Sequence, residues 1–173
     1  ALFHEALQVE VVYEMAQILG IDAGLPLPAG LAAREPLACP ATSWRLGAAE
    51  RAGWWPDIET GEQVVSLPEF EIDAQVVTWA AYAEFVADGG YDRRELWQPD
   101  GWLWLGAQQG GPAGPRRGPR HVEHIGQGAV TQWRFGTSVR GASNQPVLHV
   151  SWWEADAFAR WAWRRLMQGA EWA

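Results

Sequence analysis

The stretch that decides the fold is QPVLHVSWWEADAFARWAWRRL, residues 145–166, near the end of the sequence. Its first part, residues 146–150, is a short apolar run after a proline, which predicts a strand. Ser151 followed by Glu154 three residues later is a capping box, which predicts that a helix begins here. One face of that helix is apolar at helical spacing and consists of Ala155, Phe158, Ala159 and Ala162.

This stretch resembles the signature of formylglycine-generating-enzyme-like (sulfatase-modifying-factor) domains. That signature reads P-V-x-x-V-S-W-x-x-A, then an aromatic residue and R-W, then R-L-P-T-E-A-E-W-E. The matching residues are Pro146, Val147, Val150, Ser151, Trp152, Ala155, Phe158, Arg160, Trp161, Arg165, Leu166, Ala170, Glu171 and Trp172. The departures are Trp163, where glycine is usual, and Met-Gln-Gly at 167–169, where Pro-Thr-Glu is usual. The resemblance implies an α+β fold of the C-type-lectin-like kind.

The composition restricts the class of protein. The chain has 173 residues, of which 48% are hydrophobic, and a formal net charge of -8. The apolar content indicates a globular domain, and the negative charge argues against general nucleic-acid binding. No apolar run approaches the roughly 20 residues of a membrane-spanning helix. The one cysteine, Cys39, agrees with a reducing, cytoplasmic setting.

The beginning of the chain reads as a helix over residues 1–19, ended by Gly20. Its apolar stripe consists of Leu7, Val11, Met15, Ile18 and Leu19. The segment H-E-A-L-Q-V-E at 4–10 resembles the H-E-x-x-H-x-E helix of the DinB-like domain in ergothioneine-biosynthesis sulfoxide synthases. Those proteins join a DinB-like helical bundle to a formylglycine-generating-enzyme-like domain, in the order seen in this sequence.

That resemblance implies a site for non-haem iron(II), Fe(II), held by three histidines. His4 matches the first histidine of the helix, Gln8 occupies the second position, and the third histidine would lie before residue 1. A glutamine amide is a poorer iron ligand than an imidazole. Glu10 matches the family's acid, which would support the iron ligands; a solvated surface acid is the alternative.

Three regions follow from these assignments. Residues 1–20 are expected to be a remnant of a DinB-like helix, and residues 21–41, rich in Pro and Gly, a linker. Residues 42–173 are expected to be a formylglycine-generating-enzyme-like domain that is incomplete at its C-terminal end. Within it we predict strands at 42–47, 63–68, 70–73 and 130–136, and a helix at 79–87 that Thr78 caps and Gly89 and Gly90 end.

Two further candidates carry less weight. His121 and His124 are three residues apart, a spacing that can bind metal, but two histidines alone do not make a site. Residues 119–123 resemble a family segment, which makes His121 a structural residue. Cys39 has no histidine or second cysteine nearby in the sequence, so it is weak evidence for a nucleophile.

The first functional hypothesis is an enzyme. The resemblance implies an iron(II)- and O2-dependent oxidoreductase of ergothioneine (or selenoneine) biosynthesis, a sulfoxide synthase. It would form a C–S or C–Se bond on trimethyl-histidine (hercynine), with a thiol or selenium donor as the second substrate. Because Gln8 replaces one iron ligand and another lies outside the sequence, we expect this chain alone to be inactive.

The second hypothesis is a non-catalytic, C-type-lectin-like binding module. The sequence has 13 tryptophans, and clustered aromatic side chains suit a binding surface. The unusual ones are Trp54, Trp55, Trp79, Trp153 and Trp163. A third function, formylglycine generation, is disfavoured. That reaction resembles one that needs paired active-site cysteines late in the domain, and this chain has only Cys39.

Overall fold

The structure is a computed structural model that describes residues 2–48, 61–108, 116–126 and 128–172. These residues form two compact units, one from residues 1–32 and 76–164 and the other from residues 33–75 and 165–173. Both contain helices and antiparallel strands, as the predicted α+β class requires. Of the helices described, none is long and apolar enough to cross a membrane.

Among the described residues, the first unit contains four α-helices, a short 3₁₀ helix and a three-stranded antiparallel sheet whose strands are neighbours in chain order. Its elements are α1 (Leu2–Leu19), α2 (Trp79–Ala87), the 3₁₀ helix (Arg94–Leu96), α3 (Pro99–Ala107), β5 (Val122–Ile125), β6 (Ala129–Arg134), β7 (Thr137–Ala142) and α4 (Trp152–Trp161). The predicted helices at the start of the chain and at 79–87 are therefore confirmed. The strand predicted at 130–136 is β6, which ends at Arg134 because Phe135 and Gly136 form the turn into β7 with φ angles of 44° and 84°.

An aromatic core lies between α2 and α4. Trp79, Tyr82 and Phe85 recur every three residues along α2 and are all buried. The ring of Tyr82 stacks on that of Phe158 from α4, with centroids 5.5 Å apart. Gly90 lets Phe85 lie against the turn after α2, because a Cβ at Gly90 would come within 2.1 Å of the Phe85 ring.

The capping box before α4 is confirmed. The backbone N–H of Ser151 donates to Glu154 Oε2 at 2.8 Å, and the backbone N–H of Glu154 donates to Ser151 Oγ at 3.3 Å. The apolar face was predicted only in part: Ala159 is buried, but the other fully buried residues are Glu154 and Ala157. Phe158 of the predicted face still packs against the core, but the buried face also includes Glu154, a carboxylate that a hydrophobic pattern does not count.

The strand predicted at 146–150 is wrong. These residues form no strand and have a single bridge, between Pro146 and Thr78. His149 has a φ of 63°, in the left-handed region, and this interrupts the extended backbone that a strand needs. Instead, the side chains of Val147, Leu148 and Val150 pack against the aromatic core.

Helix α1 contacts the sheet through one polar side chain. Gln17 donates from Nε2 to the carbonyl of Trp133 at 2.8 Å and accepts at Oε1 from the N–H of Phe135 at 3.0 Å. Gln17 is the only buried residue among the α1 side chains that the structure describes. The predicted apolar stripe is exposed, with exposed fractions between 45% for Leu7 and 67% for Ile18. The apolar periodicity therefore predicted the helix correctly. It does not show that the apolar stripe is buried, because these side chains are exposed.

In the second unit, the described residues form two strand pairs and a short helix. Its elements are β1 (Leu37–Cys39), β2 (Thr42–Leu46), β3 (Gln63–Leu67), β4 (Phe70–Ile72) and α5 (Gly169–Trp172), with β1 paired to β4 and β2 to β3. The segment predicted as a linker thus contains β1. The signature residues Arg165 and Glu171 form a bidentate ion pair, which lowers the pKa of Glu171 to about 2.

The two predicted helix caps differ in a way that can be measured. Thr78 occupies the N-cap position of α2, but its side chain makes no capping hydrogen bond. We expect Ser151→Ala to lower the free energy of unfolding by about 1 kcal/mol, because it leaves a backbone N–H of α4 without its acceptor. Thr78→Ala is the control and should cost less; urea denaturation of both variants measures the difference. Equal losses would contradict a specific role for the Ser151 hydroxyl.

Candidate functional site

The predicted iron ligand and its neighbour lie on the exposed surface of α1. The side chains of His4 and Gln8 are both exposed and are separated by one helical turn. Gln8 lines a surface groove of about 520 Å³ between α1 and residues 21–23. The lining residues are Glu5, Gln8, Val9, Val12, Tyr13, Ala16, Ile21, Asp22 and Ala23. His4 is not among them.

The described residues do not by themselves fit an iron site. Non-haem iron is typically held by three protein ligands, with open positions left for substrates. Within residues 2–48, 61–108, 116–126 and 128–172, no three His, Cys, Asp or Glu side chains could hold a metal ion together. His4 with Gln8 provides one imidazole and one amide. These two groups are too few to hold iron for catalysis, and the role of His4 as an iron ligand stays a prediction.

Two histidines come together elsewhere in the first unit. The rings of His121 and His149 have centroids 5.0 Å apart and meet edge to face at 73°. The sequence had offered His124 as the partner of His121, but His124 is exposed on β5. Both members of the observed pair have a φ of 63°. The pair was missed because the two residues are 28 positions apart and both left-handed conformations arise from the tertiary fold.

The histidine pair is uncharged at neutral pH. Burial, with smaller contributions from His121 and Arg134, lowers the pKa of His149 to about 4. Burial also lowers the pKa of His121, with Arg120 and Arg116 contributing. The buried Nε2 of His149 has no hydrogen-bond partner among the described residues. Two neutral imidazoles could ligate a metal, but the surrounding arginines oppose a cation and no third donor is described.

A buried hydrogen-bond chain joins α2 to α4. The hydroxyl groups of Tyr82 and Tyr91 are 2.9 Å apart, and Tyr91 donates to Glu154 Oε1 at 2.7 Å. The guanidinium of Arg116 lies 3.8 Å from the same carboxylate oxygen. Burial raises the pKa of both tyrosines well above the ordinary value, so both hydroxyls stay protonated and can donate. The chain therefore positions two helices and has no open face for a substrate.

The tryptophans expected to form a binding surface are dispersed. Trp79 is buried in the core with 1% of its surface exposed, so it cannot belong to such a surface. Trp153 is half-buried and packs against Gly101 of α3. Trp163 is 96% exposed, and Trp54 and Trp55 lie outside the described residues. A continuous tryptophan surface is thus not formed by the described part of the predicted set.

Comparison of the sequence with known proteins identifies the family. The profile of the sulfatase-modifying factor enzyme 1-like domain matches residues 29–173. The chain belongs to this family. The family resemblance seen in the signature at 146–172 is therefore confirmed, and the matched region begins before the domain start predicted at residue 42.

Two kinds of relative are similar to this sulfatase-modifying-factor-like chain. It is 35% identical over 155 residues to the hercynine oxygenase of Mycolicibacterium smegmatis, a match that covers 88% of this chain and 34% of the relative. It is 34% identical over 116 residues to the hercynine oxygenase of Mycobacterium tuberculosis, covering 67% and 25%. It is 34% identical over 140 residues to the formylglycine-generating enzyme of Streptomyces coelicolor, covering 77% and 44%. The chain therefore spans less than half the length of each.

Removing one hydroxyl tests the buried chain. We expect Tyr91→Phe to lower the free energy of unfolding by about 1–3 kcal/mol, because Glu154 Oε1 loses its donor inside the core. Tyr13→Phe on the exposed side of α1 is the matched control and should change stability little. Chemical denaturation at neutral pH gives both values. Equal losses would show that the buried bond contributes nothing specific.

The histidine pair predicts a pH dependence of stability. Because the pKa of His149 is lower in the folded protein than in the unfolded chain, the unfolded chain binds more protons between about pH 4 and 6.5. The stability that His149 contributes is therefore present above about pH 6.5 and is lost as the pH falls to about 4. We expect His149→Gln to flatten the stability profile across this window. His124→Gln is the control, and an unchanged profile in His149→Gln would contradict the prediction.

Proposed function

We propose that this chain is part of an ergothioneine-type enzyme that modifies hercynine with O2. The observation that carries the proposal is the extent of the match to the Mycolicibacterium smegmatis hercynine oxygenase. That match covers 88% of the chain, a larger share than residues 29–173 make up, so it includes part of residues 1–28. The likeness thus extends beyond the shared family domain into residues 1–28.

The character of α1 supports its assignment to a DinB-like bundle. An isolated helix normally buries one apolar stripe, but α1 exposes large apolar residues on several sides and buries only Gln17 among its described side chains. Glu5, Glu10 and Glu14 are also exposed on α1, but large apolar residues exposed on more than one side suit packing against further helices. We propose that α1 packs within such a bundle in the intact enzyme, next to a C-type-lectin-like domain, in the cytoplasm.

In this proposal iron(II) is the cofactor and His4 is one of its ligands. When bound, iron would supply the activation of O2 for forming the C–S (or C–Se) bond with a thiol or selenium donor. The remaining ligands would come from groups beyond the described residues, since Gln8 is a poor substitute for histidine. The described residues contribute the scaffold: the Tyr82–Tyr91–Glu154 chain holds α2 against α4. We propose that the chain alone is inactive.

The alternative is a binding module without catalysis. It is favoured by one specific observation, the almost fully exposed indole of Trp163 at a position where the family usually has glycine. The two proposals differ in what they require of α1. If the chain is part of the enzyme, a histidine in place of Gln8 should allow this face of α1 to bind iron. A binding module makes no such demand on α1.

Restoring the second histidine tests the enzyme proposal. We expect Gln8→His to bind about one iron(II) per chain in an anaerobic titration, because His4 and the new imidazole would lie one turn apart on the same face of α1. The unmodified chain should bind far less. Val9→His is the matched control, since it places the same imidazole on a different face of the helix. If Gln8→His binds no more iron than Val9→His, the iron assignment of α1 is wrong.

A further inference from the structure

Three helices of the first unit end with the same left-handed backbone residue. The φ angle is 69° at Gly20 after α1, 74° at Gly89 after α2 and 57° at Trp163 after α4. Glycine is the usual residue at this position because it has no Cβ to clash. Trp163 therefore stands alone among these three in carrying a bulky side chain there.

The hydrogen bonds show that the motif is the same after α2 and α4. After α2, Gly89 donates its N–H to Val86 at 3.1 Å and Gly90 donates to Phe85 at 2.9 Å. After α4, Trp163 donates to Arg160 at 3.1 Å and Arg164 donates to Ala159 at 2.8 Å. Both patterns are the Schellman motif, in which the 6→1 and 5→2 bonds satisfy the last carbonyls of the helix. Gly89 is thus an internal reference for Trp163.

Trp163 makes little contact with the described residues that could offset its backbone strain. An L-residue in the left-handed region is less stable than glycine, and a bulky one is a genuine outlier. Packing could compensate for that strain, but 96% of the surface of Trp163 is exposed. A strained residue with an exposed indole is what a contact with another molecule would require.

Trp163 borders a groove that can accept an aromatic side chain. The groove has a volume of about 390 Å³, which lies within the range of ligand sites. Its lining residues are Asp88, Arg93, Glu95, Leu96, Arg160, Trp161 and Trp163, and we call this surface the Trp163 patch. Leu96 is buried, and Trp161 is held in place because its Nε1 donates to Asp88 at 2.9 Å. The apolar part of the groove is therefore preformed.

The charges of the Trp163 patch are balanced. The patch is lined by two carboxylates, Asp88 and Glu95, and two guanidinium groups, Arg93 and Arg160. Arg93 bonds both carboxylates at 2.8 and 3.0 Å, and Arg160 bonds Asp156 at 3.0 Å. The chain as a whole carries a formal charge of -8, so two copies repel each other over most of their surface. A neutral patch with both signs of charge can meet its own copy without that repulsion. This self-complementarity is what a two-fold interface requires.

We propose that the Trp163 patch is the contact surface of a homodimer, in which Trp163 of each copy seats in the groove of the other. This goes beyond the proposed function and does not depend on it. Two buried indoles would remove roughly 300–500 Å² from water. That area is below the roughly 1,200 Å² of a stable protein–protein interface, so the dimer is weak and forms at high protein concentration.

The test is sedimentation velocity of the purified chain over a concentration series up to about 300 µM, which reaches the affinities expected of weak interfaces. The unmodified chain should shift from monomer toward dimer. Trp163→Gly should raise the dissociation constant at least about tenfold, because the exchanged indole is lost. The same variant should raise the folded-to-unfolded ratio by about 5- to 30-fold, because it relieves the strained cap. A Trp163→Gly variant that associates more weakly but is more stable would show that Trp163 serves the contact between copies and not the stability of the fold.

Two further variants complete the test. Trp163→Asn provides a second substitution that tolerates the left-handed backbone and should also be monomeric. Trp172→Ala removes another exposed indole, 74% exposed on α5, and should leave association unchanged. The proposal is overturned if the unmodified chain stays monomeric through the whole series. It is equally overturned if Trp163→Gly and Trp163→Asn associate as strongly as the unmodified chain, which would assign the contact to another surface such as α1.

Discussion

The first unit depends on how one buried carboxylate is satisfied. Glu154 is almost fully buried, and a buried carboxylate is strongly unfavourable unless hydrogen bonds or opposite charge replace its water. Its two oxygens have separate partners: Oε2 accepts from the backbone of Ser151, and Oε1 accepts from Tyr91. Since the first bond fixes the start of α4 and the second connects through Tyr91 to α2, one side chain determines how these helices meet. The aromatic rings then pack around that junction.

The difference between local and long-range information explains what the sequence could predict. The capping box of α4 involves residues three apart, and the ends of α1 and α2 involve single glycines, so these features were predicted correctly. The bond from Tyr91 to Glu154 joins residues 63 positions apart, and no spacing rule relates them. The strand predicted at 146–150 failed for a related reason: its apolar side chains are buried, but a strand also needs a neighbouring backbone, and the left-handed His149 prevents that pairing.

Helix α1 shows a second limit of periodicity. Apolar residues at helical spacing indicate a face that is suited to burial, but they do not indicate what covers it. In this chain only Gln17 is buried among the described side chains of α1, and the amide holds the helix to the turn between β6 and β7. The same limit applies to the candidate sites. The sequence paired His121 with His124 by spacing, whereas the fold brings His121 to His149 from a different segment.

Family membership constrains the scaffold more strongly than the chemistry. The signature residues have structural roles where the structure describes them: Ser151 caps a helix, and Arg165 pairs with Glu171. Relatives that share this scaffold include both hercynine oxygenases and a formylglycine-generating enzyme at nearly equal identity, so identity alone does not separate the two activities. The extent of the likeness does not separate them either, because the Streptomyces coelicolor formylglycine-generating enzyme match covers 77% of this chain and the Mycobacterium tuberculosis hercynine oxygenase match covers 67%. The Mycolicibacterium smegmatis match, at 88%, includes part of residues 1–28, the segment in which His4 and Gln8 lie. The functional argument therefore depends on the N-terminal segment, whereas the identification of the family depends on residues 29–173.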